Sequence, residues 1–249
     1  MTEVLLTKTA DGVGHLRLNR PQKRNAINLG MRNAIADALE AWGDDGDVRV
    51  VVVSGEGEDC AAGADVRDLA AWTSADHERL HTYRMWESLQ RFPKPVIAAV
   101  TGRAWGGGCE LAMACDIIVA DNTASFAQPE IRLGITPGAG GVQRLLRLVG
   151  RSIGMRMVLT GEPLNADEAL RSGLISELVD TEPLRRALSL ASVIAAMQPL
   201  AVQAIKDLAR AADMLPLDAG LKLERQTFLR LCDSYAKQRL MQAFLAKKR

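Results

Sequence analysis

Apolar runs that end in turns of glycine and other small residues constrain the fold of this chain more than any other feature. Residues 95–100 read as a buried strand of a parallel sheet, and three glycines follow at 106–108. The apolar strand at 48–54 leads in the same way into a small-residue turn at 60–67. A helical pattern comes after each turn. These repeated strand–turn–helix units predict an α/β fold with right-handed crossovers.

The hydrophobic pattern also divides the chain into two regions. Strands are predicted near residues 3–8, 13–19, 48–54, 95–100, 116–120, 124–126 and 175–179. A helix is predicted over 28–42, and helices dominate from residue 140 onward. Residues 1–181 therefore form the predicted α/β core with the site, and residues 182–249 a helical region. Short helices with apolar stripes bury little by themselves, so we expect this region to pack on the core or on another subunit.

Two glutamates beside glycine-rich stretches are candidates for acid/base catalysis. Glu110 follows the glycines at 106–108, which places it at the start of a helix. Glu130 follows Pro129, and proline at the first helical position places this carboxylate in a first turn as well. A glutamate in a first turn usually only complements the helix dipole. Catalysis is favoured because a third turn of the same character, around Ala64, is expected at the same edge of the sheet.

Backbone amides at such turns suit an oxygen that becomes negative during a reaction. They are unpaired, and the positive end of a helix dipole lies behind them. We therefore expect one amide from the Ala64 turn and one from the Gly107 turn to converge on a single oxygen.

Composition and charge narrow the classes of function. With 249 residues, 48% of them hydrophobic, the chain can bury a large core. A net charge of +1 argues against a protein that neutralises many nucleic-acid phosphates. The N-terminus shows no signal-peptide pattern, and no segment is apolar for long enough to span a bilayer. We therefore expect a cytoplasmic protein that binds neither nucleic acid nor membrane.

Cysteine and histidine usage gives no sign of a disulfide framework or a metal site. The four cysteines lack CxxC spacing, and Cys109 beside Glu110 is interpreted as a small buried residue rather than a nucleophile. His77 and His81 have the i, i+4 spacing of paired ligands, but residues 76–84 read as the polar side of an amphipathic helix without a third ligand. No metal ion is predicted.

Several motifs follow one another in order: LNRPQKRNAIN at 18–28, AGAD at 62–65, KPVIAAVTG at 94–102, GGGCELA at 106–112, QPE at 128–130, PGAGG at 137–141 and AFLAKKR at 243–249. Together they resemble the enoyl-CoA hydratase/isomerase, or crotonase, superfamily. The resemblance implies a spiral core of repeated ββα units and a C-terminal helical region that covers the site and forms trimers. It also implies a homotrimer or hexamer.

The resemblance implies reversible syn addition of water to a 2-enoyl-CoA thioester, giving a 3-hydroxyacyl-CoA. The amides of Ala64 and Gly107 would form the oxyanion hole, Glu110 would activate water for C3, and Glu130 would protonate C2. Two carboxylates facing one water do not both ionise cheaply, so one should hold a proton near neutral pH. A double-bond isomerase, or a catalytically idle binding or assembly protein of the same fold, remains open.

Coenzyme A is expected as part of the substrate, and no separate cofactor is expected. The residues that match the substrate and coenzyme A positions of the family are Lys23, Arg24, Ala26, Ala62, Ala64, Asp65, Val66, Arg67, Gly106, Gly107, Pro129, Gly138, Phe244 and Lys247. Phe244 and Lys247 match tail positions that, in the family, reach the adenosine end of coenzyme A in a neighbouring subunit.

Overall fold

The strands form two sheets in the computed structural model, which describes residues 2–246. The strands are, in chain order, β1 (Val4–Lys8), β2 (Val13–Leu18), β3 (Val50–Gly55), β4 (Val96–Val100), β5 (Arg103–Trp105), β6 (Ile117–Asp121), β7 (Ser125–Ala127), β8 (Leu164–Asn165) and β9 (Glu177–Val179). The apolar runs predicted most of these strands. The short strands β5 and β8 were not predicted.

Helices connect the strands and then make up the last part of the chain. They are α1 (Leu29–Asp44), α2 (Val66–Ala71), α3 (Ser74–Arg79), α4 (Arg84–Arg91), α5 (Gly107–Ala114), α6 (Gly141–Thr160), α7 (Ala166–Arg171), α8 (Pro183–Ala195), α9 (Pro199–Ala212), α10 (Leu217–Cys232) and α11 (Tyr235–Ala246). Short 3-10 helices cover Pro21–Lys23 and Pro129–Leu133.

The larger sheet has the strand order β1-β2-β3-β4-β6-β9, and its central strands β3 and β4 are buried almost throughout. Only β1 and β2 pair antiparallel, and the other neighbours are parallel. Val51 and Val53 of β3 pack in the cluster that contains α1, whereas Val50 and Val52 pack against α8. Because both faces are covered, these strands read as continuous apolar runs rather than alternating ones.

The smaller sheet, β5-β7-β8, builds the repeated units of the core. β5 and β7 are parallel, and an isolated parallel bridge joins Ala61 to Ala104 of β5. After β3, β4 and β6, the chain therefore passes through this second layer before it enters a helix. This is the expected spiral of ββα units. The glycines at 106–108 thus lie at a strand-to-helix turn, as predicted, but the strand directly before them is β5 of the smaller sheet, which was not predicted.

The helical pattern predicted around residues 76–84 is interrupted in the structure. α3 ends at Arg79, residues 80–83 form a turn, and α4 begins at Arg84. His81 in this turn has a φ of 50°, in the left-handed region that ends a helix. The two histidines therefore do not lie on one helix.

The C-terminal helices begin as part of the core and end exposed. α8 packs on the larger sheet through Ala187, Ala191 and Ala195. In α9, the buried Lys206 donates to Asp116 Oδ2 at 2.7 Å. α11 has no buried residue in its described part. Within residues 2–246 no single helix is long and apolar enough to cross a membrane, although α8 and α9 meet the length and composition test as a pair bent by 114°.

Candidate active site

The smaller sheet gathers three chain turns at one edge. Ala61 and strands β5 and β7 are parallel neighbours, so the chain leaves all three in the same direction. The next elements are α2, α5 and the 3-10 helix Pro129–Leu133. The expectation that these turns meet at the carboxyl ends of neighbouring strands is therefore confirmed for the strands of the smaller sheet.

The backbone amides of Ala64 and Gly107 lie side by side at this edge. A Cβ built on Gly107 would be 3.4 Å from the Ala64 nitrogen, and one built on Gly63 would be 3.6 Å from the Gly107 nitrogen. Gly107 opens α5, where an N–H has no partner in its own helix. Neither amide donates a hydrogen bond to any residue between 2 and 246. Two free donors therefore share one small region.

Glycine is required at two positions of this turn. Gly106 adopts φ 48° and ψ −122°, and a Cβ there would lie 2.8 Å from Glu130 Oε1. A Cβ on Gly108 would lie 2.1 Å from the carbonyl oxygen of Ala61. The first glycine allows the Glu130 carboxylate to approach the start of α5, and the second allows α5 to pack directly on the neighbouring chain.

Glu110 lies in the first turn of α5 and is only 4% exposed. Its Oε1 accepts hydrogen bonds from the Ala139 nitrogen at 2.7 Å and the Gly141 nitrogen at 2.8 Å. Burial raises the pKa of Glu110, while these two amides and the charges of Arg144 and Arg32 act against that increase. The side chain is therefore held by a remote loop and does not merely complement its own helix dipole.

Glu130 lies in the first turn of the 3-10 helix Pro129–Leu133, as the proline before it predicted. Burial raises the pKa of Glu130 to about 7, and the negative charge of Glu110 adds to the increase. The side chain of Gln128 is fully buried beside it. With its amide nitrogen turned toward Glu130, Gln128 donates to Glu130 Oε2 at 3.1 Å and to Oε1 at 3.2 Å.

The two carboxylates therefore have different environments although both lie at helix starts. Glu110 receives two backbone N–H groups, which favour its ionised form, whereas the pKa of about 7 leaves Glu130 largely protonated below neutral pH. Because the negative charge of Glu110 adds to the increase in the pKa of Glu130, a proton on Glu130 beside an ionised Glu110 is favoured near neutral pH. The arrangement can supply one base and one acid together.

Several predicted substrate residues lie next to this turn. The Ala62 nitrogen donates to the Arg24 carbonyl at 2.9 Å, and the Ala26 nitrogen donates to the Lys23 carbonyl at 3.0 Å. Lys23 and Arg24 are exposed, and so is Arg67, three residues after Ala64. The structure thus brings the basic first motif beside the stretch that carries Ala64.

Asp65 is engaged within the protein. It caps α2 by accepting from the Arg67 nitrogen at 3.1 Å, and it pairs with Arg20 at 3.0 Å. Arg20 also bonds Glu3 and the Ala26 carbonyl, so its charge is used inside this network. Both residues fix the turn around Ala64.

Other predicted residues are less closely tied to the turn. Pro129 opens the 3-10 helix of Glu130, Val66 is 58% exposed at the start of α2, and Gly138 lies exposed in the loop that leads to the Glu110 donors. Phe244 is 57% exposed on α11. Lys247 lies outside the described residues.

Sequence reasoning missed the groups that hold the carboxylates. The amides of Ala139 and Gly141 come from the run at 137–141, where only Gly138 had been selected. The Arg144 side chain fastens this loop by donating to the Ala139 carbonyl at 2.7 Å. Gln128 could have been suspected from its place two residues before Glu130. No spacing rule pointed to Arg144.

The interpretation of Cys109 as a buried residue is confirmed. Its side chain is 0% exposed, and burial holds the pKa of its thiol far above the usual range.

His77 bonds the Thr82 hydroxyl at 2.8 Å and packs edge-on against Trp72. Among residues 2–246, no group of three or more His, Cys, Asp or Glu side chains is placed to hold a metal ion.

Comparisons with known proteins agree with the resemblance noted from the motifs. A sequence model of the enoyl-CoA hydratase/isomerase family matches residues 8–249. The chain is 44% identical over 234 residues to 2,3-dehydroadipyl-CoA hydratase of Escherichia coli K12, with 94% of this chain and 92% of that protein covered. It is 40% identical over 238 residues to mitochondrial enoyl-CoA hydratase of Pongo abelii, with coverage of 95% and 82%. A solved structure of enoyl-CoA hydratase subunit I from Geobacillus kaustophilus HTA426 matches with a TM-score of 0.94 and 37% identity, covering 98% of this chain and 95% of that one.

Proposed function

The chain belongs to the enoyl-CoA hydratase/isomerase family, and on that basis we propose that it catalyses the reversible syn addition of water to 2-enoyl-CoA thioesters. The observation that carries this proposal is the unequal pair of glutamates. Two backbone amides stabilise the ionised form of Glu110, which can then act as the base, and Glu130 keeps a proton up to a pH of about 7. Hydration needs one base and one acid in the same site.

The two free amides have a matching role in this proposal. The C2=C3 double bond is conjugated with the thioester carbonyl, so attack of water at C3 moves negative charge onto the carbonyl oxygen. The Ala64 and Gly107 N–H groups would donate to that oxygen. Fixed donors of this kind are each worth about 2.7–4 kcal/mol in the transition state, because they do not have to reorganise as charge develops.

Proton transfer then follows from the environments of the two carboxylates. Glu110 takes a proton from the water that attacks C3, and Glu130 delivers its proton to C2. The reverse reaction exchanges the two roles. No metal ion or separate cofactor is needed for these steps, since the thioester supplies the electron sink and coenzyme A is part of the substrate.

Substrate binding and assembly form the rest of the proposal. Lys23, Arg24 and Arg67 are exposed beside the Ala64 turn, where their charges suit coenzyme A phosphates. Large apolar side chains are exposed on the C-terminal helices, including Leu217 at 78% and Phe228 at 63%. Exposed apolar surface of this kind marks contacts with other chains, so we propose a homotrimer or hexamer of a cytoplasmic protein.

The direct test is hydration of a panel of 2-enoyl-CoA thioesters, followed by the loss of absorbance of the conjugated double bond. The panel includes 2-hexenoyl-CoA and 2,3-dehydroadipyl-CoA. Glu110→Gln and Glu130→Gln should each lower turnover by about 10²–10⁴-fold, because each removes a general acid or base. The double variant should be little worse than either single variant, as expected for groups that act together.

Matched measurements separate the possible outcomes. Glu162→Gln alters an exposed glutamate and should leave turnover unchanged. All variants should keep their circular dichroism spectra. Near-normal hydration by either Glu110→Gln or Glu130→Gln would remove that glutamate from the mechanism. If Glu130→Gln abolished isomerisation of a 3-enoyl-CoA and Glu110→Gln spared it, the isomerase alternative would replace hydration.

A further inference from the structure

A buried arginine, Arg32, lies beside the candidate site and takes no part in the proposed mechanism. It occupies the first turn of α1 and is 8% exposed. α1 is tied to α2 at this point, because the Leu29 nitrogen donates to Asp68 Oδ2 at 3.0 Å. α2 in turn begins two residues after Ala64. Arg32 is therefore placed where α1 meets the wall of the site.

The hydrogen-bonding capacity of the Arg32 guanidinium is mostly unused. Nη1 donates to the Thr82 carbonyl at 3.1 Å, which is free to accept because the turn at 80–83 interrupts the helix. Nε is buried and has no partner in the described chain. No carboxylate of residues 2–246 forms an ion pair with it either. A buried cation with so few partners is unfavourable unless another group completes it.

The surroundings of the guanidinium point toward the reacting centre. Asp68 and Glu110 are the carboxylates whose charges act on Arg32, and both oppose the effect of burial, which lowers its pKa. On another side the Trp72 ring centre lies 6.0 Å from the guanidinium carbon. Arg32 is thus near enough to Glu110 for the two charges to interact, and its guanidinium also lies near Trp72, which directly follows α2.

Simple structural roles do not account for this arrangement. The hydrogen bond to the Thr82 carbonyl uses one N–H donor, whereas the planar guanidinium of Arg32 has five. Stabilising the Glu110 anion is already done by the Ala139 and Gly141 amides and by Arg144, whose charge acts on Glu110 more strongly than that of Arg32. The unused donors call for an acceptor with two oxygens.

We propose that Arg32 determines substrate specificity by binding a carboxylate at the far end of the acyl chain. This inference rests on the proposed function, since it assumes that the thioester carbonyl lies at Ala64 and Gly107 and that the chain extends past Glu110. The guanidinium fork matches a carboxylate in a bidentate pair, and the burial of Arg32 strengthens that pair. A hydrocarbon chain end would leave the buried charge unpaired. The preferred substrates are therefore 2-enoyl-CoA esters of dicarboxylic acids.

The test uses binding of saturated thioesters, which needs no catalysis. Adipyl-CoA and hexanoyl-CoA have the same chain length and differ at the chain end, carboxylate against methyl. Calorimetric titration of the wild-type protein should give tighter binding of adipyl-CoA. Arg32→Met should weaken adipyl-CoA binding by about 10–100-fold, the range for hydrogen bonds to a charged group, and leave hexanoyl-CoA binding unchanged or stronger. The kcat/KM ratio of 2,3-dehydroadipyl-CoA to 2-hexenoyl-CoA should fall by the same factor.

Two further variants make the result specific. Methionine approximates the volume of the buried chain, so Arg32→Met should fold, and Arg32→Lys, which keeps the charge but loses the fork, should show an intermediate loss. Arg144→Met removes the other cation near Glu110 and should affect both thioesters equally. Equal losses for both thioesters with Arg32→Met, or no change in either, would overturn the inference even if hydration is observed. Selective loss of adipyl-CoA binding in a protein without hydratase activity would support Arg32 and reject only the proposed reaction.

Discussion

Gly106→Ala tests the geometry of the site without removing any catalytic group. Gly106 precedes α5 with φ 48° and ψ −122°, a backbone conformation that residues with a Cβ rarely adopt. The added methyl carbon would lie 2.8 Å from Glu130 Oε1 and 3.5 Å from its carboxyl carbon. The substitution therefore strains the turn and pushes against the proposed acid at the same time.

The magnitude follows from these two effects. Holding a residue other than glycine in such a conformation costs about 1–3 kcal/mol. For a chain of this size each kcal/mol lowers Tm by about 2–4 °C, so Tm should fall by roughly 2–12 °C. The Glu130 carboxylate must also move, and its contacts with Gln128 resist that movement. Since misplacement by about 1 Å can lower a rate about 10²-fold, we expect kcat to fall by about 10–100-fold.

The assay pairs thermal unfolding with hydration kinetics. Gly46→Ala is the matched control, because a Cβ there meets nothing within 4 Å in the described part of the chain and Gly46 has no positive φ. Its Tm and kcat should stay close to those of the wild type. Binding of a saturated acyl-CoA should persist in Gly106→Ala. If Gly106→Ala kept both the wild-type Tm and the wild-type kcat, the assigned turn geometry and the position of Glu130 would be wrong.

Three further predictions concern the oxyanion donors, the pH dependence of hydration and the interaction of the two glutamates. Gly107→Pro removes one amide at the first position of α5, where proline is tolerated, so circular dichroism should show a folded protein. Hydration should slow by about 10²–10³-fold because one oxyanion donor is lost. A folded variant with normal turnover would place the donor elsewhere. In the proposed mechanism Glu130 must be protonated, and its pKa is raised to about 7, so kcat/KM for hydration should fall as pH rises through about 7. Glu110→Gln removes a charge that raises this pKa, so carboxyl NMR should show Glu130 titrating at lower pH, and an unchanged titration would mean that the two groups do not interact.

The parts of the fold that sequence patterns predicted are those that bury long apolar runs. β3 and β4 are covered on both faces, and their valine-rich sequences show it directly. β5 and β8 are short strands of the smaller sheet, too short to display a period. The interruption at 80–83 was missed because the polar pattern continues through it, while the φ of 50° at His81 that breaks the helix is not indicated by any glycine or proline in this stretch.

The catalytic candidates could be selected from the sequence, but their partners could not. Glycine and proline mark the starts of α5 and the 3-10 helix, so Glu110 and Glu130 were recognisable beside them. The amides that bind Glu110 lie about thirty residues further along the chain, and nothing local to Glu110 indicates them. Arg32 was overlooked because a single arginine in an amphipathic helix reads as exposed.

The fold, rather than the local sequence, makes the two glutamates different. Each follows a turn and begins a helix, and each is removed from bulk water, which raises both pKa values. Only Glu110 receives the loop amides of Ala139 and Gly141, and within residues 2–246 it forms no ion pair. Neutral dipoles favour its anion without fixing it as strongly as a cation in contact would. The proton can therefore be exchanged between the two carboxylates at modest cost, which a reversible hydration requires because its two directions begin with the proton on opposite partners.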